Sequence, residues 1–413
     1  MKSTQDVKNF IEEENIQFIK LMYIDAFGVQ KNIAIMPDEL ERAFRGGISF
    51  DASAIAGFDD GIRSDLFLDP DPDTLTIVPW RPIEGKVARM FCDVRYPSGK
   101  IYGDDTRQIL KQAIVAAHQA GIRVNFGAEV EFYLFRLDEN GEPTRIPQDH
   151  ASYMDSEPLD RGANIRRDIC FSLIDMGIRP EASHHEQGPG QNEIDFRYSD
   201  ALTAADNNLT FKWVVKSIAE SNGMWADFSP KPIDDEPGNG MHLNISVMKD
   251  DESEPDDEEV RKLNMEFMAG IMEHIREITL FLNPTQGSYR RLGNMKAPGF
   301  VSWSEQNRSQ LIRIPAVKGT EGRRFELRSP DPTANPYLAY AMLIYAGIDG
   351  VKHHLTPPDP VDQNLYTADP RLTETMKKLP SKLEEAIRYA ADSIFVKNVL
   401  PENILRLYCE RSR

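Results

Sequence analysis

The sequence predicts an α+β chain, with a small, mostly β domain over residues 1–103 and a larger α+β domain over residues 104–413. Three observations carry this expectation. Residues Gln17 to Met36 read as two short strands with a turn at Phe27-Gly28, and β-like runs follow at Thr74 to Val78 and Lys86 to Asp93. The composition changes at Tyr96-Pro97-Ser98-Gly99-Lys100, after which Asp104-Asp105-Thr106 starts a helix and Ile109 to Ala120 continues it amphipathically. Beyond that point helix patterns alternate with short apolar strands at Val130 to Phe135, Gln191 to Arg197 and His242 to Val247.

The 413 residues, 40% of them hydrophobic, suffice for a large core and exclude a disordered chain. Their 48 basic and 66 acidic residues give a net charge of −18, which repels nucleic acid and anionic membranes. Small molecules, metal ions or further copies of the chain are the expected partners. Cys92, Cys170 and Cys409 are widely spaced, so neither a zinc site nor a disulfide framework is expected. The opening Met1 to Asp6 lacks an apolar signal core, and the apolar stretch Tyr337 to Ile348 is too short to span a bilayer. A soluble protein of the reducing cytoplasm is expected. The acidic run Lys249 to Glu259 reads as a solvated loop.

Four clusters carry chemistry. Glu129 and Glu131 stand two apart in an apolar strand and so share a face. Burying such a pair costs several kcal/mol unless a cation offsets it, and rigid oxygen ligands suit Mg²⁺ or Mn²⁺; a solvent-facing strand edge is the alternative. In His184-His185-Glu186 to Asn192-Glu193, a Gly-Pro-Gly bend can fold Glu186 and Glu193 toward one point. His242 opens a strand whose Asn244 and Ser246 share its face, and Arg324, Glu326 and Arg328 alternate along another. Arginines beside an acid suit phosphate next to a metal, and five glutamates with one histidine suit metal-assisted phosphoryl transfer. No P-loop is present, so ATP would be held by metals and arginines.

These clusters, together with Asn307-Arg308-Ser309, Arg313-Ile314-Pro315, Arg323 to Arg328 and Asp331 to Tyr337, resemble the glutamine synthetase family in motif and in order over nearly the whole chain. The resemblance implies an N-terminal β-grasp domain and a catalytic domain built on an antiparallel sheet with flanking helices. It also implies rings of subunits that share active sites, commonly two stacked hexamers making a dodecamer. Glu131, Glu186 and Glu193 would hold one Mg²⁺ or Mn²⁺, and Glu129, His242 and Glu326 a second. Arg308, Arg313 and Arg324 would contact ATP phosphates, with Asn244 and Ser246 on the nucleotide side. Arg291, Arg328 and the backbone near Gly238 would hold glutamate, Tyr153 would stand near the ammonium pocket, and Asp51 would be the base. The implied reaction joins glutamate to ammonia through γ-glutamyl phosphate at the expense of ATP.

The amine side departs from the family pattern. The family's Asp-Gly-Ser-Ser is Asp51-Ala52-Ser53-Ala54 here, which puts alanine at an ammonium contact. Lys296 stands where a flap glutamate precedes Ala-Pro, in a flap one residue shorter. A cation about 4 Å from ammonium would cost roughly 4 kcal/mol at an effective dielectric near 20. Pro237 replaces an asparagine and Asn244 a histidine. Three readings follow: glutamine synthesis from ammonia, γ-glutamylation of another primary amine, and a non-catalytic regulatory paralogue. Tyr366 matches a tyrosine that is adenylylated in some bacterial relatives, but Thr367-Ala368-Asp369 departs from that pattern, and an exposed loop tyrosine is the simpler reading.

Overall fold

The computed structural model describes residues 2–58, 64–80, 84–250, 257–305, 307–316 and 324–410. Most of the acidic run (251–256) and Arg323 lie outside these residues. The chain packs as two compact units: residues 1–109 with 171–179, and residues 110–170 with 180–413.

The first unit holds β1 (Ile16–Ile24), β2 (Gln30–Ile35), β3 (Ile48–Asp51), β4 (Asp65–Pro70), β5 (Thr76–Ile77) and β6 (Lys86–Arg95). Their order is β2-β1-β6-β4-β3, with β5 also on β6. The turn at Phe27-Gly28 joins an antiparallel hairpin, Ile24 facing Gln30, and Gly28 there has φ 83°, a conformation only glycine adopts without strain. Two helices that the β-like runs did not announce, α1 (Thr4–Glu13) and α2 (Leu40–Gly46), cover the sheet. Ser3 and Asp6 form a capping box at the start of α1, and Val7, Ile19, Leu21, Ala43, Leu68 and Met90 meet in one core.

The second unit is built on a sheet of ten strands among the described residues, ordered β14-β15-β16-β13-β7-β10-β9 along its main path. Its long central strand is β7 (Ile122–Leu137), which β8 (Pro143–Pro147), β11 (Ser199–Asp200) and β12 (Met224–Asp227) also join. The others are β9 (Pro180–His185), β10 (Gln191–Phe196), β13 (Met241–Lys249), β14 (Trp303–Glu305), β15 (Ile312–Ile314) and β16 (Phe325–Leu327). Pairing is antiparallel except between β14 and β15.

Alternation along β7 divides the sheet. Phe126, Ala128, Val130 and Phe132 are buried, with Phe126 stacked on Tyr340 at 4.3 Å and Phe132 edge-on to Phe211 at 6.1 Å. Glu129 and Glu131 therefore take the opposite face. After α3 (Thr106–Gln119) and α4 (Ala163–Asp175), the helices behind this sheet are α5 (Ala201–Ser221), α6 (Asp257–Leu282) and, past the short α7 (Gln286–Arg291), α8 (Pro336–Lys352). The Asp331-to-Tyr337 motif starts α8: Asn335 accepts from Tyr337 N, and Pro336 occupies the first turn. No helix among the described residues is long and apolar enough to cross a membrane.

Helices α6 and α8 cross on glycines. A Cβ on Gly270 would lie 2.2 Å from Ala346 O and 2.6 Å from Gly350 N, both of them backbone atoms that cannot swing aside. Gly270→Ala is expected to lower stability by about 1–3 kcal/mol, read as a reduced urea midpoint at constant slope. Gly46→Ala, whose Cβ would meet nothing within 4 Å, should move it by under about 1 kcal/mol.

Candidate active site

Register across the sheet gathers the acids. Glu193 faces Glu131 and Asp195 faces Glu129 across β10 and β7. On the other side of β7, His242 faces Glu129; further along, Glu326 of β16 faces Asn244, and Arg313 of β15 faces Glu326. Residues far apart in the chain thus become neighbours in rows across five strands. Ligand atoms of Glu129, His242 and Glu326 lie within 4.8 Å of one another, as do those of Glu131, Glu193 and His242, and those of His184, Glu193 and Asp195. These donor sets, rich in carboxylate oxygen with one imidazole each, suit a hard divalent cation such as Mg²⁺ or Mn²⁺.

The acids edge a cleft of about 670 Å³. Glu129, Glu131, Glu186, Glu193 and His242 line it together with Tyr153, Gly238, Arg291, Arg308 and Arg328. Glu186 lines the cleft but joins no converging trio among the described residues, its oxygen 3.6 Å from His184 Nδ1. Asn244, Ser246, Arg313 and Glu326, on the strands β13, β15 and β16, and Arg324, just before β16, stand off the lining. There Arg313 Nε donates to the fully buried Glu326 at 2.5 Å and Arg328 Nε donates to it at 3.2 Å. Asn244 donates to Glu129 at 2.7 Å and accepts from Arg324 Nε at 2.8 Å, which holds an arginine against the acids. Asp51 belongs to the first unit, where it ends β3 exposed and accepts from Ser53 N and Oγ.

Backbone and side-chain donors fix Glu131. Its Oε2 accepts from Gly240 N at 2.7 Å and from Gln191 Nε2 at 3.2 Å. Gln191 also reaches the Gly238 carbonyl at 3.2 Å. Tyr133, two residues beyond Glu131, donates to the Pro237 carbonyl at 2.6 Å, so the loop bearing Gly238 is tied to the sheet. Arg291 is buried and donates to the carbonyls of Ser329 and Arg328. Tyr366, on its loop, lines the cleft and donates to the Arg308 carbonyl at 3.3 Å. His184 and Asp195 were not singled out by the sequence reasoning. The period-two run Gln191, Glu193, Asp195 was the signal that marks Asp195 as sharing a face with Glu193.

Crowded carboxylates resist ionisation. Burial and the Glu131 charge push Glu186 up to about 8. Burial and the Glu129 charge push Asp195 up to about 7, and burial with the Glu131 charge raises Glu193 well above the carboxylate range. Glu129 goes the other way: burial works to raise it, yet the hydrogen bond and charge of His242, with Asn244 and Arg313, bring it to about 2.

Raised folded-state values mean that Glu186 and Asp195 contribute stability below their unfolded values near 4, and that this contribution is lost as pH rises toward 7–8; Glu193 acts in the same direction. A bound divalent cation reverses the penalty by pairing with the charged forms. The rise in melting temperature on adding Mg²⁺ or Mn²⁺ is therefore expected to be larger at pH 8 than at pH 6. Equal shifts at both pH values would contradict it.

Comparison with known proteins bears on the family of the chain. The family profile described as the glutamine synthetase catalytic domain matches residues 103–413, and that of the glutamine synthetase beta-Grasp domain matches residues 15–97. Glutamine synthetases of Clostridium saccharobutylicum and Methanosarcina mazei are each 44% identical over 411 residues, covering 98% of this chain and 93% and 92% of theirs. Among solved structures, a GmaS–ADP complex has a TM-score of 0.88 at 28% identity, covering 98% of this chain and 94% of its own. The cryo-EM glutamine synthetase of Plasmodium falciparum, 24% identical, shares the fold with a TM-score of 0.86 over 100% of this chain and 95% of its own. The chain belongs to the glutamine synthetase family.

Proposed function

We propose that this ATP-dependent ligase converts ATP, L-glutamate and ammonia to L-glutamine, ADP and phosphate. The observation that carries the reading is the convergence of Glu129, His242 and Glu326, next to that of Glu131, Glu193 and His242, at the edge of one cleft, with Arg313 and Arg328 bonded to Glu326. Glu131, Glu186 and Glu193 would hold one Mg²⁺ or Mn²⁺, and Glu129, His242 and Glu326 another. Such ions, when bound, neutralise charge on the phosphates.

The protein groups do the rest. Arg291 and the Gly238 backbone orient glutamate so that its γ-carboxylate oxygen attacks the γ-phosphorus of ATP and ADP leaves. Arg308, Arg313 and Arg324 offset charge on the transferring phosphoryl group, with Asn244 and Ser246 on the nucleotide side. Ammonia, near Tyr153, then attacks the acyl carbon of γ-glutamyl phosphate. Phosphate leaves with its electron pair, Arg328 stabilises the developing charge, and Asp51 takes the amine proton. In this reading Asp51 serves the site of a neighbouring copy, in a dodecamer of two stacked rings in the cytoplasm, and the domain boundary lies near residue 103.

The test supplies Mg²⁺, ATP, glutamate and ¹⁵N-ammonium and identifies products by mass. ¹⁵N-glutamine with one ADP per glutamine is expected. ADP and a γ-glutamyl amide formed only with another primary amine would move the chain to the γ-glutamyl-amine reading, and no turnover at all would favour a non-catalytic paralogue.

A further inference from the structure

The cleft's cations are not equally engaged. Arg291 is spent on the carbonyls of Ser329 and Arg328, and Arg328 on Glu326 and the Arg308 carbonyl. Among the described residues, the Lys296 ammonium and the Arg308 guanidinium meet no hydrogen-bond or ion-pair partner, yet both line the cleft. Lys296 also sits on strained backbone. Met295 has φ 36° and Lys296 φ 75°, two consecutive residues with side chains in the left-handed region. Such conformations cost about 1–3 kcal/mol each and persist where the surroundings enforce them, most often at binding and catalytic sites.

The surroundings here are identifiable. Lys231 Nζ donates to Met295 Sδ at 3.5 Å and to the Glu236 carbonyl at 2.5 Å, and Arg290 donates to Asp234 at 2.7 Å. The loop carrying Lys296 is thereby tied to the segment that delivers Pro237 and Gly238 to the cleft. Gly238 is itself locked in place: a Cβ there would lie 2.2 Å from Pro230 O. Arg313 and Arg324, the arginines suited to phosphate, are instead engaged with Glu326 and Asn244. An exposed ammonium, without a partner among the described residues, thus stands on a loop tied to the Gly238 segment, which the proposed function gives to glutamate.

We infer that Lys296 binds the carboxylate of an amino-acid ligand at the mouth of this cleft. This rests on the ligase reading above and adds a ligand contact to it. The carboxylate has two possible sources, the α-carboxylate of the donor glutamate or that of an amino acid serving as acceptor amine, and kinetics separate them. An acceptor of that kind attacks the acyl phosphate through its amine, loses one proton and expels phosphate, giving a γ-glutamyl amino acid.

The experiment compares the full-length protein with Lys296→Met and Lys296→Arg in Mg²⁺, ATP and glutamate, with ammonium, methylamine or glycine as acceptor. If the donor is held, Lys296→Met raises the glutamate KM at least tenfold while Lys296→Arg restores most of it. If the acceptor is held, the ratio of kcat/KM for glycine to that for methylamine falls at least tenfold in Lys296→Met and recovers in Lys296→Arg. Either result supports the inference. An unchanged glutamate KM with an unchanged glycine-to-methylamine ratio overturns it, as does a rise in the ATP KM alone, which would put the lysine on phosphate. Melting temperature and ADP binding of Lys296→Met establish that the variant is folded. Failure of the unmodified protein to turn over any acceptor would instead count against the ligase reading itself.

Discussion

Glu326→Ala is expected to abolish activity and to destabilise the second unit together. Glu326 is fully buried, accepts from Arg313 and Arg328, and has an oxygen 3.6 Å from His242 Nδ1. Its removal deletes one corner of a converging cation site and leaves two arginines in the sheet without their carboxylate. Breaking a buried ion pair from one side costs about 3–5 kcal/mol, because the surviving charge stays desolvated. Thermal or urea unfolding would measure this loss, and turnover should fall by about 10³-fold or more, in keeping with lost charge stabilisation in phosphoryl transfer. Glu326→Gln separates the two effects. It keeps volume and one acceptor, so it should recover part of the stability but little of the activity. A folded, active Glu326→Ala protein would show that this carboxylate is not part of the machinery.

Arg308→Ala should give the opposite pattern, with activity lost and stability kept. The side chain is exposed in the cleft and meets no partner among the described residues, while the Arg308 carbonyl that accepts from Tyr366 and Arg328 survives the substitution. Nothing in the fold depends on the guanidinium. In phosphoryl transfer an arginine that meets charge only in the transition state is worth about 10³-fold or more in kcat. The expectation is a fall in kcat near that size, with a melting temperature within a degree or two of the parent. Equal losses of stability and activity would mean that the arginine is structural.

The contrast between these two arginine-and-acid environments also shows what could be read from the chain alone. Spacing of two between Glu129 and Glu131 placed both acids on one face of a strand, and β7 has them there. The β1–β2 hairpin and the onset of α3 were likewise local, because turn chemistry and a capping signal lie within a few residues. The fourfold convergence was not local. That His242 faces Glu129, that Asp195 does so from the other side, and that Arg313 faces Glu326 are facts of register between strands, the first two pairs more than 50 residues apart in sequence. The last pair is the exception, 13 residues apart across a short turn region, and even there only the sheet shows that both arginines point at one acid. Family resemblance supplied the grouping of Glu129, His242 and Glu326, which spacing could not.

Other features were out of reach for different reasons. Helix α1 follows from its capping box and α2 from the spacing of Leu40 and Ala43 on one side, signals that the β-rich surroundings obscured. The burial of Glu326 contradicts its formal charge and is possible because Arg313 and His242, from two other places in the chain, join its near neighbour Arg328 around it. The positive φ values at Met295 and Lys296 have no sequence signature at all, since neither residue is a glycine or an asparagine. Lys296 was visible as an unusual residue; its strain and its lack of a partner required the fold.

The central claim, that a glutamate carboxylate oxygen attacks ATP in this cleft, is tested most directly by following that oxygen. Glutamate labelled with ¹⁸O in the γ-carboxylate is turned over with ATP, Mg²⁺ and ammonium in unlabelled water, and the released phosphate is analysed by mass. One ¹⁸O atom per phosphate is the predicted result, because the oxygen that attacks phosphorus leaves with it when the amine displaces the acyl phosphate. Unlabelled phosphate released at the same rate as ADP would show that water attacks ATP instead, and would contradict the account.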